Sequence, residues 1–228
     1  LQLNTKVTAA ELNHTDFDEV ILATGISPRT PEIEGIEHKT VLSYLDVMNG
    51  AAVGKKVAVI GAGGIGFDIS EVLVHAGQST SQDIKAFMAQ WGVDMTFTAR
   101  GGVESIVPVV EPAAREVFLL QRKKSKVGAQ LGKTTGWIHR TDLLKKGVKM
   151  LANCEYQKID DQGLHLLVAG EAQLLEVDNI IICAGQDPQR DLLEGLVKSS
   201  QLIGGADVAT ELDAKRAINQ GTRLALAL

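Results

Sequence analysis

Val57-Ala58-Val59-Ile60-Gly61-Ala62-Gly63-Gly64-Ile65-Gly66-Phe67-Asp68 is the stretch that decides the fold. Four consecutive apolar residues predict a buried strand, and Gly61-x-Gly63-x-x-Gly66 follows it without a spacer. Ile65, Ile69, Val72, Leu73 and Ala76 then recur at helical spacing, with Gly77 placed to cap the helix. Strand, tight turn and amphipathic helix in that order predict a Rossmann-like dinucleotide-binding unit. Gly61 permits the turn, Gly63 and its neighbour Gly64 let backbone approach a pyrophosphate, and Gly66 lets helix pack closely on strand. The helix N-terminus offers the phosphates unpaired N–H groups and the positive end of its dipole. A glycine turn used only for packing is the alternative.

The choice of dinucleotide lies at the end of the second parallel strand, which the sequence places at Val117-Phe118-Leu119-Leu120-Gln121. An acidic residue there would bind the ribose 2′-hydroxyl of NAD; basic residues pair with the 2′-phosphate of NADP. Arg122 and Lys123 follow this strand, with no Asp or Glu at its end, so NADPH is the expected nucleotide. Arg122 is the stronger candidate, because a planar guanidinium forks onto phosphate oxygens or stacks on adenine. A solvated basic loop is the competing reading. Gly128-Ala129-Gln130-Leu131-Gly132-Lys133-Thr134 imitates the phosphate loop of nucleoside triphosphatases, but only three residues separate its glycines where four are needed, and no apolar strand precedes it. ATP or GTP hydrolysis is excluded on that ground. The segment either approaches the nicotinamide side or is a plain surface loop.

Further out, Glu19-Val20-Ile21-Leu22-Ala23 is an apolar strand that stops at Thr24-Gly25, and Asn179-Ile180-Ile181-Ile182-Cys183-Ala184-Gly185 repeats the arrangement. A complete nucleotide-binding pattern lies between them, which predicts one domain inserted into another. The expected division is 1–44 and 151–228 for the outer domain and 45–150 for the insert. Residues 1–5 read as strand, 41–48 as a short helix, 138–146 as a helix ending at Gly147, and 148–151 as the next strand. Residues 78–115 are an elaboration containing a helix with Ile84, Phe87, Met88 and Trp91 on one face. Three segments, 156–159, 164–168 and 173–177, are separated by turn residues as in an antiparallel meander. Residues 213–226 close the chain as a helix.

A net charge of −5 gives no global basic field for nucleic acid or an anionic membrane. No apolar run approaches the roughly 18 residues that span a bilayer, so a cytoplasmic protein is expected. Cys154 and Cys183 are the only cysteines, and neither has a partner at metal-ligand spacing. That suits a reducing compartment without a disulfide framework, and no metal site is expected. His14, His38, His75, His139 and His165 show no ligand spacing either. The chain begins without Met, and a longer polypeptide is expected.

Several of these segments carry a resemblance: Ala23-Thr24-Gly25, Ser43-Tyr44-Leu45-Asp46-Val47, the fingerprint 59–68, Gln90-Trp91-Gly92-Val93-Asp94 and Gly132-Lys133-Thr134-Thr135-Gly136-Trp137. Ile182-Cys183-Ala184-Gly185-Gln186, Gly204-Gly205-Ala206-Asp207 and residues 211–218 complete it. The chain resembles, over essentially its whole length, the flavin- and pyridine-nucleotide-binding half of bacterial 2,4-dienoyl-CoA reductases, within the old-yellow-enzyme-related iron–sulfur flavoproteins. The resemblance implies a multidomain enzyme in which NADPH reduces FAD and electrons cross a 4Fe-4S cluster to FMN. FMN then reduces a conjugated dienoyl thioester in the breakdown of unsaturated fatty acids. It implies an α/β fold with the NADPH domain inserted in a split, incomplete FAD domain. The early FAD glycine fingerprint, the cluster cysteines and the FMN barrel are expected on an N-terminal part of the same polypeptide, the implied partner. Thr24, Gly25, Gly185, Gln186 and Ala206 are then expected on FAD-facing loops. Where related flavoproteins have Gly-Asp facing the ribityl chain, this sequence has Gly204-Gly205, so a backbone contact or a shifted Asp207 must substitute. No catalytic acid or base is assigned, because cofactors carry hydride transfer. An enone reductase, an amine dehydrogenase or a non-catalytic nucleotide-binding module are the alternatives.

Overall fold

The computed structural model describes residues 1–77, 79–210 and 213–228. Gln78, which opens the expected elaboration, and Glu211 and Leu212, within the 211–218 likeness, lie outside the described residues. The chain starts with α1 (Ala9–Asn13), β1 (Glu19–Leu22) and β2 (Ile26–Pro28), followed by β3 (Val41–Ser43) and α2 (Tyr44–Met48). Next come β4 (Lys56–Ile60), α3 (Gly64–Val74), α4 (Ile84–Trp91), β5 (Glu116–Leu120), α5 (Gly136–Lys145) and β6 (Lys149–Leu151). The strands β7 (Cys154–Asp160), β8 (Gly163–Val168), β9 (Glu171–Leu175) and β10 (Asn179–Ile182) precede β11 (Gln186–Pro188), β12 (Ser199–Leu202) and α6 (Ala214–Ala225). Two compact units result: Leu1–Arg29 with Gly185–Leu228, and Thr30–Ala184.

The inner unit is built on a parallel sheet of order β3-β10-β4-β5-β6. Its strands are apolar without alternation because both faces are covered. Val57, Val59, Val117, Leu119 and Ile181 face a core that includes Phe67, Ile69 and Leu73 of α3 and Leu143 of α5. Ala58, Ile60, Phe118, Leu120, Ile180 and Ile182 face a second core with Ile159, Leu164, Leu166 and Leu175 of the antiparallel order β7-β8-β9. The unit is therefore helices, parallel sheet, meander. Full burial of one such aliphatic side chain contributes roughly 1.5–3 kcal/mol before the entropy of ordering is subtracted. The α/β class, parallel sheet and meander are as expected.

The compact units have bounds other than the expected 44/45 and 150/151. The meander and β10 pack with the fingerprint strand, because β10 pairs β4 from Asn179↔Val57 to Ile182↔Ile60. Other local expectations are corrected. Residues 1–5 form no strand; Leu1 and Leu3 are exposed, so no ladder or core fixes them. Residues 41–48 split into β3 and α2 because Ser43 and Asp46 form a capping box that starts the helix at Tyr44. Helix α3 ends at Val74, with His75 already extended, and its buried stripe is Gly66, Phe67, Ile69, Ser70, Leu73 and Val74, while Val72 is exposed. In α4 the predicted face is only partly covered: Ile84 and Phe87 stay exposed. Helix α4 is tied to α5 by Gln90 Nε2 donating to Asp142 Oδ1 at 3.0 Å and by the Lys145 ammonium 4.2 Å from the Trp91 ring centre.

In the outer unit β1 pairs β12 in parallel and β2 pairs β11 antiparallel. β1 alternates, with Val20 and Leu22 buried and Ile21 exposed, so this strand is covered on one face only. Asn13 at the end of α1 binds Gly195 O and Val197 N, fastening the N-terminal segment to the chain before β12.

Candidate functional site

The fingerprint turn is held by backbone packing. Gly61 N–H donates to Leu120 O at 3.0 Å, which seats the turn beside the end of β5. Gly61 has φ +111°, and a Cβ there would sit 2.2 Å from Cys183 O. Gly66, in the first turn of α3, would place a Cβ 1.8 Å from Gly61 O. Both glycines are thus required by the protein's own backbone. Gly63 and Gly64 differ: a Cβ on either meets nothing within 4 Å. Gly63 is the N-cap of α3 and supplies no side-chain cap, so the first N–H groups of the helix have no side-chain acceptor. Open space before unpaired donors at a helix N-terminus fits a dinucleotide pyrophosphate.

The basic turn after β5 is pinned to the start of the meander. Gln121 N–H donates to Leu151 O (2.9 Å), Asn153 N–H to Lys123 O (3.0 Å) and Cys154 N–H to Gln121 O (3.0 Å). The Gln121 amide closes the turn, its Nε2 lying 3.0 Å from Lys123 O and 2.8 Å from Ser125 O. Lys123 Nζ is turned back onto Gln130 Oε1 at 2.9 Å. Arg122 is exposed, and among the described residues none hydrogen-bonds its guanidinium. Of the two expected phosphate partners, Arg122 is therefore the uncommitted one. The segment around Gly128 packs on the same helix: a Cβ at Gly128 would lie 2.7 Å from the Phe67 ring. Trp137 stands exposed at the start of α5, its Nε1 donating to Thr134 O at 3.1 Å.

In the outer unit the residues expected near a flavin fall into two groups. Thr24 and Gly25 meet the segment after Gly185: Thr24 Oγ1 donates to Gln189 O (2.5 Å), Gln189 N–H to Gly25 O (3.0 Å), and Arg29 N–H to Gly185 O (3.1 Å). Gln186 pairs with Pro28 in the β2–β11 ladder. Gly25 and Gly185 have φ of +80° and +110°, which explains a glycine at each strand end. Ala206 ends the Gly204–Ala206 3-10 turn, and Asp207 is the capping residue after it. Two side chains without any signal in the sequence hold that turn. Arg190 Nε donates to Ala206 O at 2.7 Å, and its Nη2 donates to Asp207 O. Gln220 on α6 accepts from Gly204 N–H at 2.8 Å and donates to Asp207 Oδ2 at 2.6 Å. The Asp207 carboxylate is thus engaged in scaffolding. Ala23, Ile203, Gly204, Gly205, Asp213 and Ala214 line an open 380 Å³ groove beside this turn.

A larger concavity of 480 Å³ at Ser79–Lys85 shares no residue with either turn. It is shallow and open, and the backbone geometry of the turns is the better guide to the site. Cys154 and Cys183 are free and buried. Burial pushes the Cys183 thiol up to about 12 and also raises Cys154, so neither supplies a thiolate at neutral pH. No cluster that could hold a metal ion occurs among the described residues, and no described helix is long and apolar enough to cross a membrane.

A family model described as pyridine nucleotide-disulphide oxidoreductase matches residues 1–213. A metal reductase of Desulforamulus reducens is 24% identical over 214 residues, which cover 90% of this chain and 31% of that protein. Cinnamate reductase of Clostridium sporogenes is 27% identical over 214 residues, covering 91% of this chain and 26% of the relative. A solved complex of 2-naphthoyl-CoA reductase with 2-naphthoyl-CoA superposes with a TM-score of 0.73 at 23% identity, over 100% of this chain and 29% of that one. This last likeness concerns the fold. The chain spans less than a third of the length of these relatives.

Proposed function

The chain belongs to the pyridine nucleotide-disulphide oxidoreductase family, and from that premise we propose that it is the NADPH-to-FAD electron-input portion of a 2,4-dienoyl-CoA reductase. The family implies a flavin and a nicotinamide nucleotide. The observation that carries the finer reading is the pairing of two features at adjacent strand ends. One is the open face of Gly63 and Gly64 before the uncapped α3; the other is a turn with an uncommitted Arg122. In this reading Gly61 and Gly66 shape the turn, the first N–H groups of α3 hold the pyrophosphate, and Arg122 forks onto the 2′-phosphate, with Lys123 adding charge. The unit Thr30–Ala184 takes the nucleotide, and the unit containing Thr24, Gly25, Gly185, Gln186, Ala206 and Asp207 contributes to FAD. Arg190 and Gln220 keep the Gly204–Asp207 backbone in place for it.

Bound NADPH supplies a hydride that bound FAD accepts. The residues of this chain orient the two and need move no proton. The dienoyl-CoA substrate, FMN and a 4Fe-4S cluster belong, in this reading, to an N-terminal barrel of the same polypeptide. The relative named cinnamate reductase, by its name a reductase of an unsaturated acid, supports reduction of a conjugated double bond.

Titration of NADPH and NADH into the chain tests the nucleotide assignment. NADPH is expected to bind more tightly by about 1.5–3 kcal/mol, the worth of charge-assisted contacts to the 2′-phosphate, and Arg122→Leu to erase most of the difference. Equal affinities would remove the role of Arg122. The longer polypeptide should oxidise NADPH when given a 2,4-dienoyl-CoA, followed by loss of the dienoyl absorbance; oxidation with a simple enone or reduction by an amine alone would overturn the substrate assignment.

A further inference from the structure

We infer that Gln121 is the positioning residue that sets the preference for a 2′-phosphorylated nucleotide, by holding the turn from which Arg122 projects. The inference rests on the NADPH reading above and goes a step further, to the residue that makes Arg122 available. Gln121 occupies the end of the second strand, where an acidic residue would select an unphosphorylated ribose. Its backbone is locked on both sides: its N–H donates to Leu151 O and its carbonyl accepts from Cys154 N–H. The side chain starts from this fixed strand end, and its Nε2 reaches three acceptors of the following turn: Lys123 O at 3.0 Å, Ser125 O at 2.8 Å and Ser125 Oγ at 3.3 Å.

Those acceptors lie on residues 123 and 125, on the inner side of a turn whose charged residues, Arg122, Lys123, Lys124 and Lys126, are all exposed. Of these two carbonyls, backbone holds Lys123 O, which accepts from Asn153 N–H; the neutral amide of Gln121 adds a second donor there and supplies the donor to Ser125 O. A carboxylate at 121 would fail twice. It has no N–H for the carbonyl oxygens of 123 and 125, and its charge would draw the Arg122 guanidinium toward itself. An amide of the same length supplies donors and adds no charge to compete for the guanidinium. Lys123 cannot substitute from its present position, since its ammonium is held by Gln130.

The test measures the Kd of NADPH and of NADH for the 228-residue chain carrying Gln121→Met or Gln121→Glu, each alone and combined with Arg122→Leu. Met keeps the length and apolar stem without a donor; Glu keeps the shape, loses the donors and adds a negative charge beside Arg122. Gln121→Met is expected to weaken NADPH about tenfold while NADH binding stays within twofold, and to have no further effect on the NADPH/NADH ratio once Arg122 is gone; Gln121→Glu is expected to lower the ratio at least as far, its carboxylate favouring the unphosphorylated ribose. Such coupling is what a purely structural role would not produce. If Arg122→Leu collapses the ratio but both Gln121 variants leave it at the wild-type value, the inference fails and the NADPH reading stands. Equal loss of both nucleotides would also overturn it. If Arg122→Leu leaves NADPH binding unchanged, the NADPH reading itself fails and the inference with it.

Discussion

The turn at residues 61–66 and the turn at 204–207 both leave a parallel strand and both contain paired glycines, yet they are held in place by different means. In the first, backbone packs on backbone: Gly66 lies on Gly61 O and Gly61 lies on Cys183 O. No side chain clamps it, and its outer face is left open at Gly63 and Gly64. In the second, long polar side chains from elsewhere do the holding, Arg190 from the segment after β11 and Gln220 from α6. A turn made by close approach tolerates no added atom at its contact points. A turn made by clamps tolerates small changes in itself but depends on distant residues.

The largest effect should come from adding one methyl group where backbone meets backbone. Gly66→Ala puts a Cβ 1.8 Å from Gly61 O, which no side-chain rearrangement can relieve. A loss of about 3 kcal/mol is expected, read by denaturant unfolding followed at the parallel sheet. A loss under about 0.5 kcal/mol would show that the turn is not packed as described. Gly63→Ala separates folding from binding. Its φ of −82° suits alanine and nothing lies within 4 Å of the new atom, so stability should change by less than about 0.5 kcal/mol. NADPH affinity should nonetheless fall tenfold or more, because the methyl enters the space assigned to the pyrophosphate. Unchanged affinity in a calorimetric titration would place the phosphates elsewhere.

This contrast also explains what could be read before the structure. Close approach leaves a local signature, because only glycine meets it, and Gly61, Gly63 and Gly66 announce themselves at fixed spacing beside an apolar strand. The basic turn after β5 is likewise a short-range pattern, at Arg122 and Lys123. Clamps leave no such trace: Arg190 is 16 residues from Ala206 and Gln220 is 13 from Asp207, and neither type of residue is unusual on a surface. The limits of the compact units leave no local trace for a related reason. The pairing of β10 with β4 joins residues more than a hundred positions apart, and a buried strand says nothing of which neighbour it will choose. The reading of 1–5 as strand failed because strand propensity without a partner fixes nothing.

A third way to separate the two turns is pH. Burial raises the Cys183 thiol from its ordinary 9.0 to about 12. Between those values the unfolded chain ionises this group and the folded chain does not. Its linkage is therefore flat below pH 9 and destabilising as pH rises from 9 toward 12, by at most about 1.4 kcal/mol per pH unit. Cys183 backs the fingerprint turn through its carbonyl, so the inner unit should carry this alkaline slope, and Cys183→Ala should remove that component. A slope unchanged in the variant would mean that the thiol is not the group titrating. The same burial predicts that Cys183 resists iodoacetamide at pH 8 in the folded chain and reacts in denaturant.

The smallest effect, and the one that tests the clamp directly, comes from Arg190→Ala and Gln220→Ala. Each removes two hydrogen bonds to the Gly204–Asp207 turn, and a partly exposed polar clamp of this kind is expected to contribute about 1 kcal/mol. Because Arg190 takes the carbonyls of Ala206 and Asp207 while Gln220 takes Gly204 N–H and the Asp207 carboxylate, both act on one short segment. The double variant should therefore differ from the sum of the single ones by about 0.5 kcal/mol or more. Strict additivity would mean that the two side chains stabilise separate pieces. The fingerprint turn supplies the control: neither variant should change NADPH affinity by more than twofold, since no residue of the 61–66 turn hydrogen-bonds either side chain among the described contacts. If flavin affinity of the longer polypeptide falls with these variants while NADPH affinity holds, the two turns serve different cofactors. If both affinities fall together, the division of labour between the two turns is wrong.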